Sequence, residues 1–410
     1  MSSFPNQGNY NNYPSGGRGG FKNQRGGFGR GRGGDQGSGR GRGHSDYRPR
    51  RDDRNKPQGN QKLCKFFQQG ICNKPNCGFV HKYSYNDSIT GVQRFTVNAP
   101  IASAVVINEE QIAVALVNGS IKIINVYTGS QVLEFPVSGQ IQKLYYTANI
   151  VINNMPQNFN YLLFGGVSQD GSQLLGGINT QSGNPELFPQ GHAGGITDIT
   201  ESCGLIFTGS LDCSVGVWYY NGTQYNFGTL IRPDPSIINQ NFITSVKVIG
   251  ETLLAATNLG YVIGWTYDFK QNSASYLGVL DPIHNGTANC LITFDRYVLS
   301  GGQDGRVLCW DSENNFSGWE LANTGKARSE ISSLLIMSNL RNELHLLLGD
   351  ANGKIHIFAL QGTEAKYISP VHLFKQRVTS LSSYINNSQR ISGFVSTSMD
   401  QAAAIMQWIK

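Results

Sequence analysis

The chain has 410 residues and a formal net charge of +6, from 33 Lys and Arg against 27 Asp and Glu. Hydrophobic residues make up 39% of it, and no run of eighteen apolar residues occurs, which excludes a membrane-spanning helix. The start has no basic stretch leading into an apolar one, and seven cysteines, an odd number, do not suit a disulfide scaffold; a nuclear location, or a cytoplasmic one with reduced thiols, is expected.

The net charge hides two unlike parts. Residues 1–83 carry 16 basic and 4 acidic side chains, a net +12, whereas residues 84–410 carry 17 and 23, a net −6. Glycine is skewed the same way, with 16 of its 50 copies in the first 60 residues. The organisation read from this is a disordered Arg/Gly-rich tail over 1–60, a small metal module over 61–83, a linker over 84–93 and a large β domain over 94–410.

Residues 1–60 are Gly, Arg, Asn, Gln and Ser with scarcely any aliphatic side chains, too few to offset chain entropy by burial. Arg18, Arg25, Arg30, Arg32, Arg40 and Arg42 sit in Arg-Gly units, with Phe21 and Phe28 between them. A plain flexible linker is one reading. Arginine with Gly and Phe, where a linker would use Ser and Glu, favours RNA contact, because guanidinium groups fork onto phosphate and stack on bases. The segment resembles the RGG boxes of RNA-associated proteins, frequent targets of arginine methylation. Gly29-x-Gly31-x-x-Gly34 spells a dinucleotide fingerprint, but no strand precedes it and no helix follows, so it carries nothing.

Cys64, Cys72, Cys77 and His81 follow with the spacing C-x7-C-x4-C-x3-H. Three thiolates and an imidazole within eighteen residues make a closed tetrahedral Zn(2+) set, which is structural and leaves no open position for substrate. So short a segment has no core, so the metal must supply most of its folding free energy. These residues resemble the CCCH zinc finger family, whose members commonly bind single-stranded RNA. That resemblance implies RNA contacts from Lys65, Phe66, Phe67, Lys74, Phe79 and Lys82. Phe67 and Phe79 fall at two ring positions of the family pattern, while Lys74 stands where the third ring is expected. The phenylalanines either pack over the metal or stack on bases. No acidic residue between 54 and 85 opposes the lysines.

Beyond residue 94, short runs of Val, Ile, Leu, Tyr and Phe alternate with Gly, Asn, Asp and Ser turns, a pattern of many short antiparallel strands. Leu205 to Trp218 aligns without a gap on Tyr297 to Trp310. His192 to His284, Asp212 to Asp304 and Trp218 to Trp310 are each 92 residues apart, two repeats of 46. Turn positions Asn118, Asp170, Asp212, Leu259, Asp304, Asn352 and Asp400 mark seven copies. The units resemble WD40 repeats, which implies an all-β, seven-bladed propeller. The chain stops in the third strand of the last unit, so Val92–Val97 is expected to supply its fourth strand and close the ring. Pro156 to Asn160 reads as an insertion in blade 2.

His192, Thr208, Asp212 and Trp218, and again His284, Ser300, Asp304 and Trp310, resemble a nucleophile triad by composition. Occurring twice, once with Thr, they are expected instead to be the buried Trp–hydroxyl–His–Asp network that WD40 blades carry. Cys203, Cys213, Cys290 and Cys309 lack C-x-x-C pairing and are expected to be buried apolar thiols.

A CCCH finger ahead of a WD40 propeller resembles the plant zfwd family. The reading is an RNA-associated adaptor whose finger and tail contact RNA while the propeller scaffolds protein partners, with no membrane and no small-molecule substrate. The alternative is a substrate receptor or scaffold of a ubiquitin ligase or other regulatory complex. Trp310-Asp311-Ser312-Glu313 lacks the Arg that such receptors often carry after Trp-Asp. No acid–base pair, phosphate loop or open metal position supports an enzyme.

Overall fold

The computed structural model describes residues 83–409, apart from 85–87, 148–149, 153–154, 158–160, 181–182, 184, 235–241, 326–327, 340 and 388–390. The described residues form seven main antiparallel sheets and a small two-stranded one, with a single 3-10 turn at Ser312–Asn314. Six main sheets have four strands each; the seventh has four and an added edge pair at Tyr83–Ser84.

The seven innermost strands are Ile101–Val106, Gln140–Thr147, Ile196–Ser202, Ile243–Ile249, Ala288–Phe294, Ile331–Ser338 and Val378–Asn386. Each contacts the next, and the last contacts the first, so the blades close into a ring around a central channel. The apolar side chains partition into seven clusters, each shared by two adjacent blades. Blade 3 gives Phe207, Val215 and Val217 to the cluster it shares with Leu253, Ala255 and Ile263 of blade 4. Middle strands are therefore covered on both faces, which is why Ile112–Leu116 and Leu253–Ala256 within them read as unbroken apolar runs. Outermost strands such as Gln131–Pro136 face solvent and are mixed.

The ring is closed by its two ends. Ser88–Thr96 lies antiparallel to Ala402–Ile409, with Arg94 opposite Ala404 and Thr96 opposite Ala402. Arg94 reaches Asp400 at 3.5 Å, and Val97 N–H donates to the Gln401 carbonyl at 2.9 Å. The closing strand starts earlier than the expected Val92–Val97, inside the stretch read as a linker, because its backbone pairing with the last strand continues back to Ser88 opposite Ile409. In blade 2 the insertion begins earlier than Pro156: Ile150–Ile152 pairs with Met155–Gln157 as an extra hairpin.

Candidate functional site of the propeller

In blade 3, Leu205–Ser210 and Val215–Tyr220 hold Thr208 and Trp218 on one face, while His192 arrives from the loop before the innermost strand. Trp218 Nε1 donates to Thr208 Oγ1 at 2.8 Å, and Thr208 Oγ1 lies 2.8 Å from His192 Nε2. His192 Nδ1 is 3.0 Å from Asp212 Oδ2, which also accepts from the Ala193 N–H at 2.9 Å. One proton arrangement satisfies every group: indole N–H to hydroxyl, hydroxyl to Nε2, and Nδ1–H to carboxylate. Thr208 and Trp218 are wholly buried and His192 nearly so. The hydroxyl is thus saturated and shut off from any substrate, which is a structural arrangement and not a nucleophile's. Burial opposes ionisation of Asp212, yet the hydrogen bonds from His192 and Ser214 outweigh it and hold the carboxyl well below its ordinary range.

Blade 5 departs from the expected network. His284 bridges Ser300 Oγ at 2.6 Å and Asp304 Oδ1 at 2.9 Å, and Arg306 Nε adds a contact of 2.7 Å to Asp304 Oδ2. Trp310 stands outside this chain, donating instead to the Asp281 carbonyl at 2.9 Å. The strand registers give the cause. Thr208 is paired with Gly216, while Ser300 is paired with Leu308. Beside Gly216 the His192 ring and the Thr208 hydroxyl come so close that an added methyl group would lie 2.4 and 2.8 Å from them, whereas in blade 5 the buried Leu308 stands at that position.

Blade 6 contains a variant the sequence reading missed. His356, at the register position of Gly216, reaches Asp350 Oδ2 at 3.1 Å from within its own strand, Lys354–Gln361. Burial opposes ionisation here too, but His356 and the Lys354 N–H hold the Asp350 carboxyl low. The cysteines also differ from expectation: Cys309 is buried, Cys213 and Cys290 are partly so, and Cys203 is exposed. Cys203 sits at φ 51° in the tight turn with Gly204, which leaves its side chain no face to pack on.

A second feature of the channel wall was also missed. Each innermost strand has a register shift near its start, and the residues just past it are Ser103, Lys143, Asp198, Ser245, Cys290, Ser333 and Ser380. Four of these side chains accept a backbone N–H from the following blade: Ser103 from Leu144, Asp198 from Val246, Ser245 from Leu291 and Ser380 from Ala104, all at 3.0–3.1 Å. The bulged residues donate the other way, Thr197 to the Ile243 carbonyl at 2.7 Å and Asn289 to the Ile331 carbonyl at 2.8 Å. A faint signal existed in the sequence, since Asp198, Ser245 and Cys290 each precede their turn position by 14 residues.

Asp198 does more than its ring mates. Its carboxylate receives Lys143 Nζ at 2.9 Å and Lys247 Nζ at 3.3 Å, so blades 2, 3 and 4 meet on one anion. Burial works against its charge, but the two ammonium groups and Ser245 prevail and keep it ionised.

The proposed metal ligands Cys64, Cys72, Cys77 and His81, the finger residues Lys65, Phe66, Phe67, Lys74, Phe79 and Lys82, and Arg18, Arg25, Arg30, Arg32, Arg40 and Arg42 all lie outside the described residues. Among the described residues no group of three or more His, Cys, Asp or Glu side chains is placed to hold a metal ion.

Residues 183–219 match the WD40 family model, described as WD domain, G-beta repeat. This stretch covers most of blade 3, the blade whose network is complete. Among solved structures, the chain is similar to the computationally designed Ika8 protein, with a TM-score of 0.54 and 17% identity over 77% of this chain and 98% of that one. It is also similar to the WD40 beta propeller domain of Doa1, with a TM-score of 0.58 and 15% identity over 78% of this chain and 97% of that one. No curated protein matches it. Resemblance at such identities speaks for the fold alone. Register, ring closure and the matched repeat together make residues 88–409 a seven-bladed β-propeller with a WD40 repeat in its third blade.

Proposed function

We propose that the chain is an RNA-associated adaptor, in which a Zn(2+) finger built from Cys64, Cys72, Cys77 and His81 acts with the Arg/Gly-rich tail on single-stranded RNA while the propeller holds a protein partner. The observation that carries this reading is the charge step at residue 83. Sixteen of the 33 basic side chains, and a closed four-ligand set, precede a part of the chain with net charge −6. Zinc, when bound, supplies folding free energy to that short segment. On the propeller, a cavity of about 220 Å³ between blades 5 and 6 offers a partner an apolar foothold. Tyr297, Leu299, Trp319, Ile336 and Leu360 line it, and the buried Trp319 Nε1 has no acceptor among the described residues. No catalytic step belongs to this reading, and the nucleus is the compartment it suits.

The test is Cys72→Ser in the full-length protein. Zinc content falls by one equivalent and RNA affinity drops, while the β-sheet circular dichroism of the propeller is unchanged. Unaltered zinc content in the variant would remove the ligand assignment, and unaltered RNA affinity would remove the finger's role.

A further inference from the structure

The channel wall shared by blades 2, 3 and 4 holds a charge that its own residues do not balance. One carboxylate, Asp198, faces two ammonium groups. Its oxygens are already occupied: Oδ1 takes Lys143 Nζ and the Ile199 N–H at 3.0 Å, and Oδ2 takes Lys247 Nζ, the Val246 N–H at 3.0 Å and Ser245 Oγ at 2.5 Å. Neither lysine has a second carboxylate partner among the described residues. Besides Asp198, the acidic group that acts on both lysines is the Cys290 thiol, and burial pushes it up to about 12, so it stays neutral and offsets nothing.

The donors are also incompletely used. An ammonium has three N–H groups. Lys143 spends one on Asp198, and Lys247 spends one on Asp198 and one on the Val246 carbonyl at 2.7 Å. Although both belong to innermost strands, the Lys143 side chain is 37% exposed and the Lys247 side chain 19%, so solvent reaches the pair. Burial is the main force on both ammonium groups. At Lys143 the attraction of Asp198 overcomes it, whereas at Lys247 it does not and the pKa is lowered. An excess charge held in a partly desolvated wall is costly until an opposite charge meets it.

We propose that Lys143 and Lys247 form an oxyanion-binding site on the channel wall, oriented by Asp198, which takes a single phosphate or carboxylate group entering the channel. Asp198 is a positioning residue here. It fixes both ammonium groups through a buried carboxylate tied to three blades, leaving their free N–H groups for the ligand. Charge-assisted hydrogen bonds from two ammonium groups to one anion are the strong kind.

The experiment uses full-length protein labelled with 15N-lysine, whose Nζ signals are followed while inorganic phosphate replaces chloride at constant ionic strength. Lys143→Met and Lys247→Met assign the two signals, and Lys247→Arg serves if the methionine variant does not fold. The expected result is that both signals move along one saturable curve, and that Lys247→Met weakens phosphate binding at Lys143 by about tenfold or more. A peptide of six glutamates is then added. Competition with phosphate identifies a site for peptide carboxylates, and lack of competition one for free anions; either supports the site. Signals that stay fixed throughout the wild-type titration overturn it, as does a Lys143 response that Lys247→Met leaves intact.

Discussion

Replacing Thr208 by Val and Ser300 by Ala separates two networks that look identical by spacing. Valine keeps the branched shape of threonine, so Thr208→Val leaves no cavity and removes only the hydroxyl. That hydroxyl accepts from Trp218 Nε1 and contacts His192 Nε2, both at 2.8 Å and both inside the blade. Two buried polar groups lose their partner, each at a cost of about 1–3 kcal/mol, so the variant is destabilised by roughly 2–6 kcal/mol. In blade 5 the Ser300 hydroxyl serves His284 alone, since Trp310 is bonded to the Asp281 carbonyl. Ser300→Ala orphans one group and costs about 1–2 kcal/mol. Urea unfolding of the full chain, compared at constant slope, reads the difference as a midpoint shift. Thr208→Val within about 0.5 kcal/mol of wild type, the range of an ordinary surface change, or Ser300→Ala as costly as Thr208→Val would refute the difference between the two networks.

Three further outcomes are expected. Asp198, Asp212, Asp304 and Asp350 are all held below the ordinary carboxylate range, against burial, by their lysine, histidine and N–H partners. Groups depressed in the folded state contribute stability that is fully present above the unfolded value near about 4 and is lost as pH falls through the folded value, so urea midpoints should hold steady at pH 5–7 and decline below about pH 4; Asp212→Asn should flatten part of that decline, and an unchanged profile would count against the network. Gly216→Ala places a methyl group 2.4 Å from His192 Nε2 and 2.8 Å from Thr208 Oγ1, neither of which has room to retreat, and should lower stability by about 2 kcal/mol or more; a thermal midpoint equal to that of wild type would show that the imidazole moves freely. RNA affinity should fall with salt at about −0.7 in log–log slope for each phosphate neutralised, a total of about −2 or steeper if Lys65, Lys74 and Lys82 act together; a flat line in a filter-binding series removes the basic segment from the reading.

The architecture was legible because its determinants are local and repeated. Turn residues at near-regular intervals, and apolar runs between them, encode sheets that cannot cover their own faces, and the last blade needs a fourth strand beside Ala402–Ile409. Ser88–Thr96 answers that need. The blade 3 network was legible for the same reason: all four of its side chains are polar or aromatic letters at fixed offsets. The channel wall was not, because Asp198 reads as one polar residue in a strand. Its role depends on Lys143 and Lys247, 55 residues before it and 49 after it, which only the closed ring brings together.

The blade 5 and blade 6 differences show what letter matching leaves out. By spacing Trp310 matches Trp218 and both are expected to bond a hydroxyl, yet the residues two positions earlier, Leu308 and Gly216, differ. Where Gly216 stands, Trp218 bonds the Thr208 hydroxyl; where Leu308 stands, Trp310 bonds a backbone carbonyl, an acceptor every residue possesses and no sequence pattern marks. With His356 there, the strand brings its own imidazole to Asp350, and the opposing strand offers no hydroxyl, since Leu348 stands in place of Thr208, so the buried His356 Nδ1 has no partner among the described residues. Three blades thus satisfy the same buried space in three ways, each allowed by the volume of one side chain. What the fold requires at this point is filled space with most polar atoms paired, and the particular residues that achieve it follow from which strand still has room.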